Sequence, residues 1–254
     1  MAQDQPSHSK SIFFASDFHL GLDGPNSSLD REQTIVAWLR SIIDRTEALY
    51  LLGDLFDYWF EYKQVVPRGY VRFLGQLAAF TDRGIPLHIF TGNHDVWMFD
   101  YLEKELNANI YRDPIITELQ GQKLMLGHGD GLGPGDHGYK FIKGVFRNRI
   151  NQWLFARLHP NFAMKIMQLS SKTSRESQSA KPFLGKDKEW LVQHCEDIIK
   201  QESIDLFIFG HRHLPIDYTL SNGRSRYINS GDWITHNSYV ELNQGQAYLK
   251  TFEP

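Results

Sequence analysis

The chain has 254 residues, of which 41% are hydrophobic and 22% charged, and its net charge is -3 at neutral pH. This length and composition are those of a globular protein with room for one large domain, and they exclude a disordered or fibrous chain. The slightly acidic balance gives no overall attraction to polyanions, so no nucleic-acid partner is expected.

The first ten residues, MAQDQPSHSK, are polar and lack the apolar core of a signal peptide. We therefore expect a loose tail over residues 1–10 and a cytoplasmic protein, because no later apolar run is long enough to span a bilayer either. The only cysteine, Cys195, cannot form an intramolecular disulfide. This agrees with a reducing compartment.

Short apolar runs recur along the chain, and their length and their branched and aromatic content predict buried strands. They lie at 11–15, 49–52, 87–90, 123–126 and 206–209. Helical patterns separate several of them and lie at 30–46, 68–83 and 186–201. Asp30 is the predicted N-cap of the first helix, and Gly84 is expected to end the second. This alternation predicts an α/β sheet with covered faces.

The last part of the chain has a different pattern. Three short segments joined by tight turns, at 227–229, 238–242 and 246–249, predict an antiparallel meander that completes a second sheet. We therefore expect two packed sheets with helices outside, in one domain over residues 11–254. The helix-prone segment at about 136–179 interrupts the alternation and is predicted to be an insertion.

Each of the five main predicted strands is followed directly by residues that could bind a metal. The motifs are Asp17-Phe18-His19, Gly53-Asp54-Leu55-Phe56-Asp57, Gly92-Asn93-His94-Asp95, Gly127-His128-Gly129-Asp130 and Gly210-His211-Arg212-His213. Ligands of open α/β sheets collect at the carboxyl ends of strands, so these loops can converge on one site. Carboxylate, imidazole and amide ligands suit Mn, Fe or Zn. One Asp between such groups can bridge two ions about 3.5–4 Å apart, as in two-metal hydrolases.

Taken singly, these motifs are weak evidence for a metal. An Asp-x-His or Gly-Asp sequence also fits an ordinary loop or cap, and a Gly-His-x-His sequence is only moderately specific. Their occurrence together, at the ends of five predicted strands, favours a two-metal phosphoester or phosphoanhydride hydrolase.

The sequence resembles the calcineurin-like metallophosphoesterases, which carry D-x-H, G-D-x-x-D, G-N-H-[DE], G-H and G-H-x-H in this order over nearly the whole chain. The resemblance implies a four-layer α/β/β/α sandwich with a helical insertion. It implies one ion held by Asp17, His19 and His213, a second held by Asn93, His128 and His211, and Asp54 bridging them. It also implies that His94 contacts the substrate phosphate as a catalytic group, with Asp95 orienting it.

A finer resemblance is to the UDP-2,3-diacylglucosamine pyrophosphatases of lipid A biosynthesis. It is carried by the segment 53–59, His128-Gly129-Asp130, Asp136, Tyr139, Ser170-Ser171-Lys172 and Gly231-Asp232-Trp233. It implies release of UMP and 2,3-diacylglucosamine 1-phosphate, two Mn²⁺ ions (with Zn²⁺ or Fe as alternatives), and contact with the cytoplasmic face of the inner membrane. The substrate contacts that it implies are Asn93, His94, Asp136, Tyr139, Ser171, Arg175 and Gln178. His94 stands where the well-known members of that group carry Arg.

The insertion is basic, with no acidic residue between Asp136 and Glu176, and it carries many large apolar side chains. This pattern fits a membrane surface or an acyl-chain groove, and it fits equally a pair of helices that packs its apolar face on the core. The resemblance favours a lid over the substrate. Two other functions stay open from the sequence: hydrolysis of a soluble nucleotide, phosphodiester or phosphomonoester, and a non-catalytic metal-binding scaffold. The oligomeric state is likewise left open.

Overall fold

A computed structural model describes residues 10–24, 26–134, 137–177 and 182–254. Almost all of the expected tail, together with Asp136 and Gln178, lies outside the described residues. The described strands are β1 Ser11–Ala15, β2 Thr46–Leu51, β3 Leu87–Phe90, β4 Asn109–Tyr111, β5 Ile115–Leu119, β6 Gln122–Leu126, β7 Leu206–Phe209, β8 Pro215–Thr219, β9 Arg226–Ser230, β10 Ser238–Asn243 and β11 Gln246–Thr251. The helices are α1 Ser28–Ile42, α2 Val71–Asp82, α3 Tyr101–Leu106, α4 His137–Arg147, α5 Arg149–Phe155, α6 Pro160–Ser177 and α7 Trp190–Ile198.

The strands form two mixed sheets. The first sheet has the order β11-β10-β1-β2-β3-β4, in which β1 to β4 run parallel. The second has the order β5-β6-β7-β9-β8, in which β6, β7 and β9 run parallel. In both sheets the parallel strands are neighbours, so their carboxyl ends lie side by side.

Three apolar clusters define four layers. The inner faces of the two sheets meet through side chains such as Phe14, Leu126 and Ile208. Helices α1, α2 and α3 cover the outer face of the first sheet, with Trp38 and Phe73 fully buried, and α7 covers the second sheet. Burial of each such large side chain contributes about 1.5–3 kcal/mol. The predicted α/β/β/α sandwich is confirmed.

Helix α1 differs from its prediction at both ends. Ser27, and not Asp30, is its N-cap, and Asp30 completes a capping box with Ser27. The α-helix ends at Ile42, and β2 already begins at Thr46 because that residue pairs with Ser11 of β1. The predicted helix extends too far because the helical pattern continues to Thr46, and the strand that pairs with this segment lies far away along the chain.

The predicted C-terminal meander is wrong. Strand β9 pairs with β7 and β8 in the second sheet, whereas β10 pairs with β1 and β11 in the first. The hairpin of β10 and β11 is present, and its turn residues Gln244 and Gly245 both have positive φ, as a tight hairpin turn requires. Turn signals predict local pairing, but they do not predict which sheet a hairpin joins.

The segment predicted to be an insertion contains α4, α5 and α6, and its helices α4 and α5 pack on the loops that follow β2 and β3. Phe155 of α5 contacts Phe60 and Trp97, with ring centroids 4.9 and 4.6 Å apart. The indole N–H of Trp97 donates to the carbonyl of Phe146 in α4 at 2.8 Å. Within the described residues, no helix is both long enough and apolar enough to cross a membrane.

Candidate metal centre

The loops that follow β1, β2 and β3 are tied to one another by their backbones. The amide of Asp17 donates to the Gly53 carbonyl and that of His19 to the Asp54 carbonyl, both at 3.0 Å. The amide of His94 donates to Oδ1 of Asp54 at 2.9 Å. Hydrogen bonds of the protein itself therefore hold the candidate ligands of three strand ends together.

Five candidate ligands have a left-handed backbone. The φ angles are 57° at Asp17, 43° at His19, 53° at Asp54, 66° at His211 and 54° at His213. Asp and His tolerate this region better than most residues, but each such position still costs about 1–2 kcal/mol. The conformation persists because the surrounding hydrogen bonds over-determine it, as at many functional sites.

One donor group combines the first, second and last motifs. Asp17, His19, Asp54 and His213 each offer a ligand atom, and these atoms all lie within 4.8 Å of one another. Nε2 of His19 is 3.3 Å from Nε2 of His213, and Oδ1 of Asp17 is also 3.3 Å from that His213 atom. His19, Asp17 and Asp54 are completely or almost completely buried.

A second donor group lies on the other side of Asp54. Asp54, His128 and His211 also offer ligand atoms within 4.8 Å of one another. Nε2 of His128 is 3.3 Å from Oδ2 of Asp54 and 3.3 Å from Oδ1 of Asn93. Nδ1 of His211 is 3.2 Å from the same His128 atom. Asp54 thus belongs to both groups, and the described structure brings all seven predicted ligands together.

The electrostatics of the centre fit a cation. Burial lowers the pKa of His19, but the carboxylates of Asp17 and Asp57 outweigh it and raise the pKa to about 10. Burial is outweighed in the same way at His128, where Asp54 raises the pKa to about 10. Oδ1 of Asp17 is buried and has no hydrogen-bond donor among the described residues. The carboxylates therefore stabilise positive charge at the centre. Bound divalent ions would supply that charge in place of the protons on the histidines.

In three of the ligand histidines, the ring nitrogen that faces away from the donor groups lies near a fixed acceptor. Nδ1 of His128 lies 2.8 Å from the carbonyl of Leu52, and Nδ1 of His213 lies 3.3 Å from the Asp232 carboxylate. Nδ1 of His19 faces the Asp57 carboxylate at 3.4 Å. Such partners orient metal-binding imidazoles. The sequence alone assigns no role to Asp57 or Asp232, although both belong to the motifs that carry the resemblance.

His94 is buried beside the first donor group, with its ring 4.8 Å from that of His19. Its Nδ1 lies 3.0 Å from the carbonyl of Asp57 and 3.0 Å from Oγ of Ser171. Because a carbonyl oxygen can only accept a hydrogen bond, Nδ1 must carry a proton. The other ring nitrogen, Nε2, is left to contact a ligand. Burial lowers the pKa of His94.

Asp95 has a different role from the one expected. Its carboxylate accepts from the backbone amides of Gly92 at 2.7 Å and Leu55 at 2.8 Å. It therefore joins two of the motif loops, whereas Asp57 and Ser171 orient the imidazole of His94. The prediction that Asp95 orients His94 is corrected accordingly. Burial raises the pKa of Asp95 to about 7, and the negative charge of Asp54 acts in the same direction.

The predicted substrate contacts are only partly described. Ser171 of α6 is buried against His94, so the structure brings it to the centre. Tyr139 lies in α4 and Arg175 in α6, but their side chains are outside the described part, as are Asp136 and Gln178. All of these substrate contacts, Ser171 included, stay predictions.

A Gly92→Ala substitution is expected to disable the centre, because a Cβ at this position would lie 2.6 Å from the backbone nitrogen of Asp54. Backbone cannot yield as a flexible side chain can, so the two motif loops would separate. We expect a lower melting temperature and a loss of bound metal, measured by calorimetry and elemental analysis. Gly75→Ala in α2 is the matched control, since its Cβ would meet nothing within 4 Å. Equal metal content in both variants would contradict the prediction.

The sequence model of the calcineurin-like phosphoesterase family matches residues 10–215 of the chain. The UDP-2,3-diacylglucosamine hydrolase of Porphyromonas gingivalis (strain ATCC BAA-308 / W83) is 38% identical over an aligned length of 256, and the alignment covers 95% of this chain and 97% of the relative. That of Aeromonas salmonicida (strain A449) is 28% identical over 243 residues, covering 94% and 92%. A solved archaeal phosphodiesterase is 14% identical and covers 95% of this chain and 99% of its own, with a TM-score of 0.48.

Proposed function

The chain belongs to the calcineurin-like phosphoesterase family, and from that membership we propose that it is a two-metal hydrolase of UDP-2,3-diacylglucosamine. The products are UMP and 2,3-diacylglucosamine 1-phosphate. One observation carries the reaction type: the carboxylate of Asp54 belongs to two separate groups of metal donors. The substrate rests on the similarity to the P. gingivalis hydrolase, which extends over so much of the chain that it includes the insertion.

The proposed ligand sets follow the two donor groups that share Asp54. Asp17, His19 and His213 hold one ion, Asn93, His128 and His211 hold the other, and Asp54 bridges them. The mixture of carboxylate, imidazole and amide donors suits Mn²⁺, which we propose as the native ion. When bound, a pair of such ions activates water and neutralises the charge of the phosphoryl oxygens.

His94 is the proposed catalytic side chain. Its Nδ1 donates to the Asp57 carbonyl, which fixes the ring and leaves Nε2 for the substrate phosphate. The negative charge of a bound phosphate favours the imidazolium form, in which Nε2 also carries a proton. In that form Nε2–H would stabilise the negative charge that develops in the reaction or deliver its proton to the leaving oxygen. Ser171 supports this role, because its hydroxyl contacts the same ring from the insertion.

The insertion is proposed to hold the acyl chains and to contact the inner membrane. Large apolar side chains on its described helices face solvent: Ile150, Trp153, Leu154, Phe162 and Leu169. Exposed basic residues stand among them, and the guanidinium of Arg157 lies 4.6 Å from the centroid of the Trp153 ring. Apolar surface framed by basic groups supports contact with anionic lipid.

The protein with Mn²⁺ is expected to release UMP from UDP-2,3-diacylglucosamine in detergent micelles, measured by chromatography. Removal of the metal by EDTA should abolish the release, and renewed addition of Mn²⁺ should restore it. UDP-N-acetylglucosamine, which lacks the long acyl chains, is the matched substrate and should react far more slowly. The substrate assignment fails if the lipid gives no UMP.

Hydrolysis of a soluble nucleotide, phosphodiester or phosphomonoester by the same centre is the second candidate function. The observation that favours it is His94, which stands where the lipid pyrophosphatases carry Arg. Turnover of a soluble phosphodiester without turnover of the lipid would select this candidate. A non-catalytic scaffold would bind Mn²⁺ and hydrolyse neither substrate.

A further inference from the structure

The loop that carries His211 and His213 is tied to the segment that returns from the insertion. Nε of Arg212 donates to Oε2 of Glu189 at 3.1 Å, and Nη2 donates to Oε1 at 3.0 Å. The two side chains are only 11% and 3% exposed. This is a buried two-pronged ion pair, a geometry that a guanidinium provides and a lysine ammonium does not.

Both partners of this pair also hold the returning segment. Oε1 of Glu189 accepts from the amide of Leu184 at 3.1 Å, and Nη2 of Arg212 donates to the carbonyl of Pro182 at 3.2 Å. The segment 182–189 is thus folded around the ion pair. Displacement of this segment would take these acceptors away from Arg212.

The residues on both sides of the insertion also lie close to His211. Trp190, the residue after Glu189, packs edge-on against His211 with ring centroids 5.6 Å apart. Gly133, just before the insertion, lies so close to the carbonyl of Trp190 that a Cβ there would be 2.6 Å from its oxygen. Both ends of the insertion therefore lie beside His211, through Trp190 and Gly133.

We propose that Arg212 and Glu189 are positioning residues that couple the insertion to the metal centre. His211 and His213 flank Arg212 and both have positive φ, so the loop needs an external restraint to hold their ligand atoms in place. The ion pair supplies this restraint only while the segment 182–189 is docked. By linkage, metal binding must in return stabilise that docked segment. The inference deepens the proposed function, because it uses the same metal centre.

The test measures metal affinity and hydrogen exchange on the full-length protein. Arg212→Lys keeps the charge but loses the two-pronged contact, and it should weaken Mn²⁺ binding to the metal-depleted protein roughly tenfold, as loss of supporting partners commonly does. Glu189→Gln keeps the shape and serves as the second variant. In the wild type, Mn²⁺ should slow deuterium exchange in the peptide 182–190, where the Leu184 amide reports on Glu189. In both variants this protection should be reduced.

Arg226→Lys is the matched control. Arg226 also makes a two-pronged contact, with Asp217 in the second sheet. No candidate ligand flanks Arg226, so the Mn²⁺ affinity of this variant should equal that of the wild type. Unchanged affinity in Arg212→Lys, or exchange at 182–190 that ignores Mn²⁺ in the wild type, would overturn the coupling. Neither readout depends on turnover, so the coupling and the proposed substrate fail separately.

Discussion

Asp54→Asn is expected to lower kcat/KM for the lipid substrate roughly a thousandfold, since charge stabilisation by metal ions is worth several kcal/mol and about 1.4 kcal/mol changes a rate tenfold. The amide keeps the volume of the side chain and one oxygen. It removes the negative charge that lies between the two donor groups, 3.3 Å from Nε2 of His128 and 3.7 Å from Nε2 of His19. Bound Mn²⁺, counted by elemental analysis, should fall together with UMP release.

The matched control for this variant is Asp44→Asn. Asp44 pairs with Arg83 on the surface, and its side chain is 90% exposed, so an amide there should leave both metal content and turnover unchanged. A full complement of Mn²⁺ in Asp54→Asn, or activity within a factor of about ten of wild type, would show that Asp54 does not bridge the ions.

His94→Gln is expected to separate catalysis from metal binding. Loss of a proton donor or charge-stabilising group costs about 10²–10⁴-fold in turnover, whereas Mn²⁺ affinity should change little, because His94 lies outside the proposed ligand sets. The effect should appear in kcat more than in KM, since the contact strengthens in the transition state. His94→Arg should recover part of the lost turnover, because a guanidinium can also face the phosphate as a cation.

His88→Gln serves as the comparison for this second variant. His88 is also a partly buried histidine, and its Nδ1 contacts the hydroxyl of Tyr111 at 3.1 Å, away from the centre. It should turn over substrate like the wild type. If His94→Gln lost Mn²⁺ in proportion to its activity, His94 would hold metal and would not be a separate catalytic group.

The strands and the convergence of their motifs could be predicted because both depend on local sequence. A run such as Leu206–Phe209 is apolar throughout because both of its faces are buried, and the ligands come directly after it. Parallel strands then bring these loops to one edge of a sheet, whatever the details of packing.

Other features depend on contacts between distant residues and left no local signal. Strand β10 belongs to the first sheet because Val240 pairs with Phe14, and nothing near Val240 encodes that partner. Asp95 follows His94 in the chain, yet its carboxylate points to the amide of Leu55 in another loop. The left-handed conformations of the ligands likewise arise from hydrogen bonds between loops. Motifs predict which residues gather, but not which of their neighbours orient them.

The position of β1 has a consequence for the order of folding. Asp17 follows β1, and β1 lies between β2 and β10, so one side of this strand stays unpaired until the C-terminal strands have been synthesised. The hydroxyl of Ser11 donates to Glu241 across 230 residues of chain, and the amide of Trp233 donates to the carbonyl of Asp17. Contacts of such long separation form late and slowly. The metal centre is therefore completed late in folding, once β1 and β10, which lie far apart in the sequence, have met in one sheet.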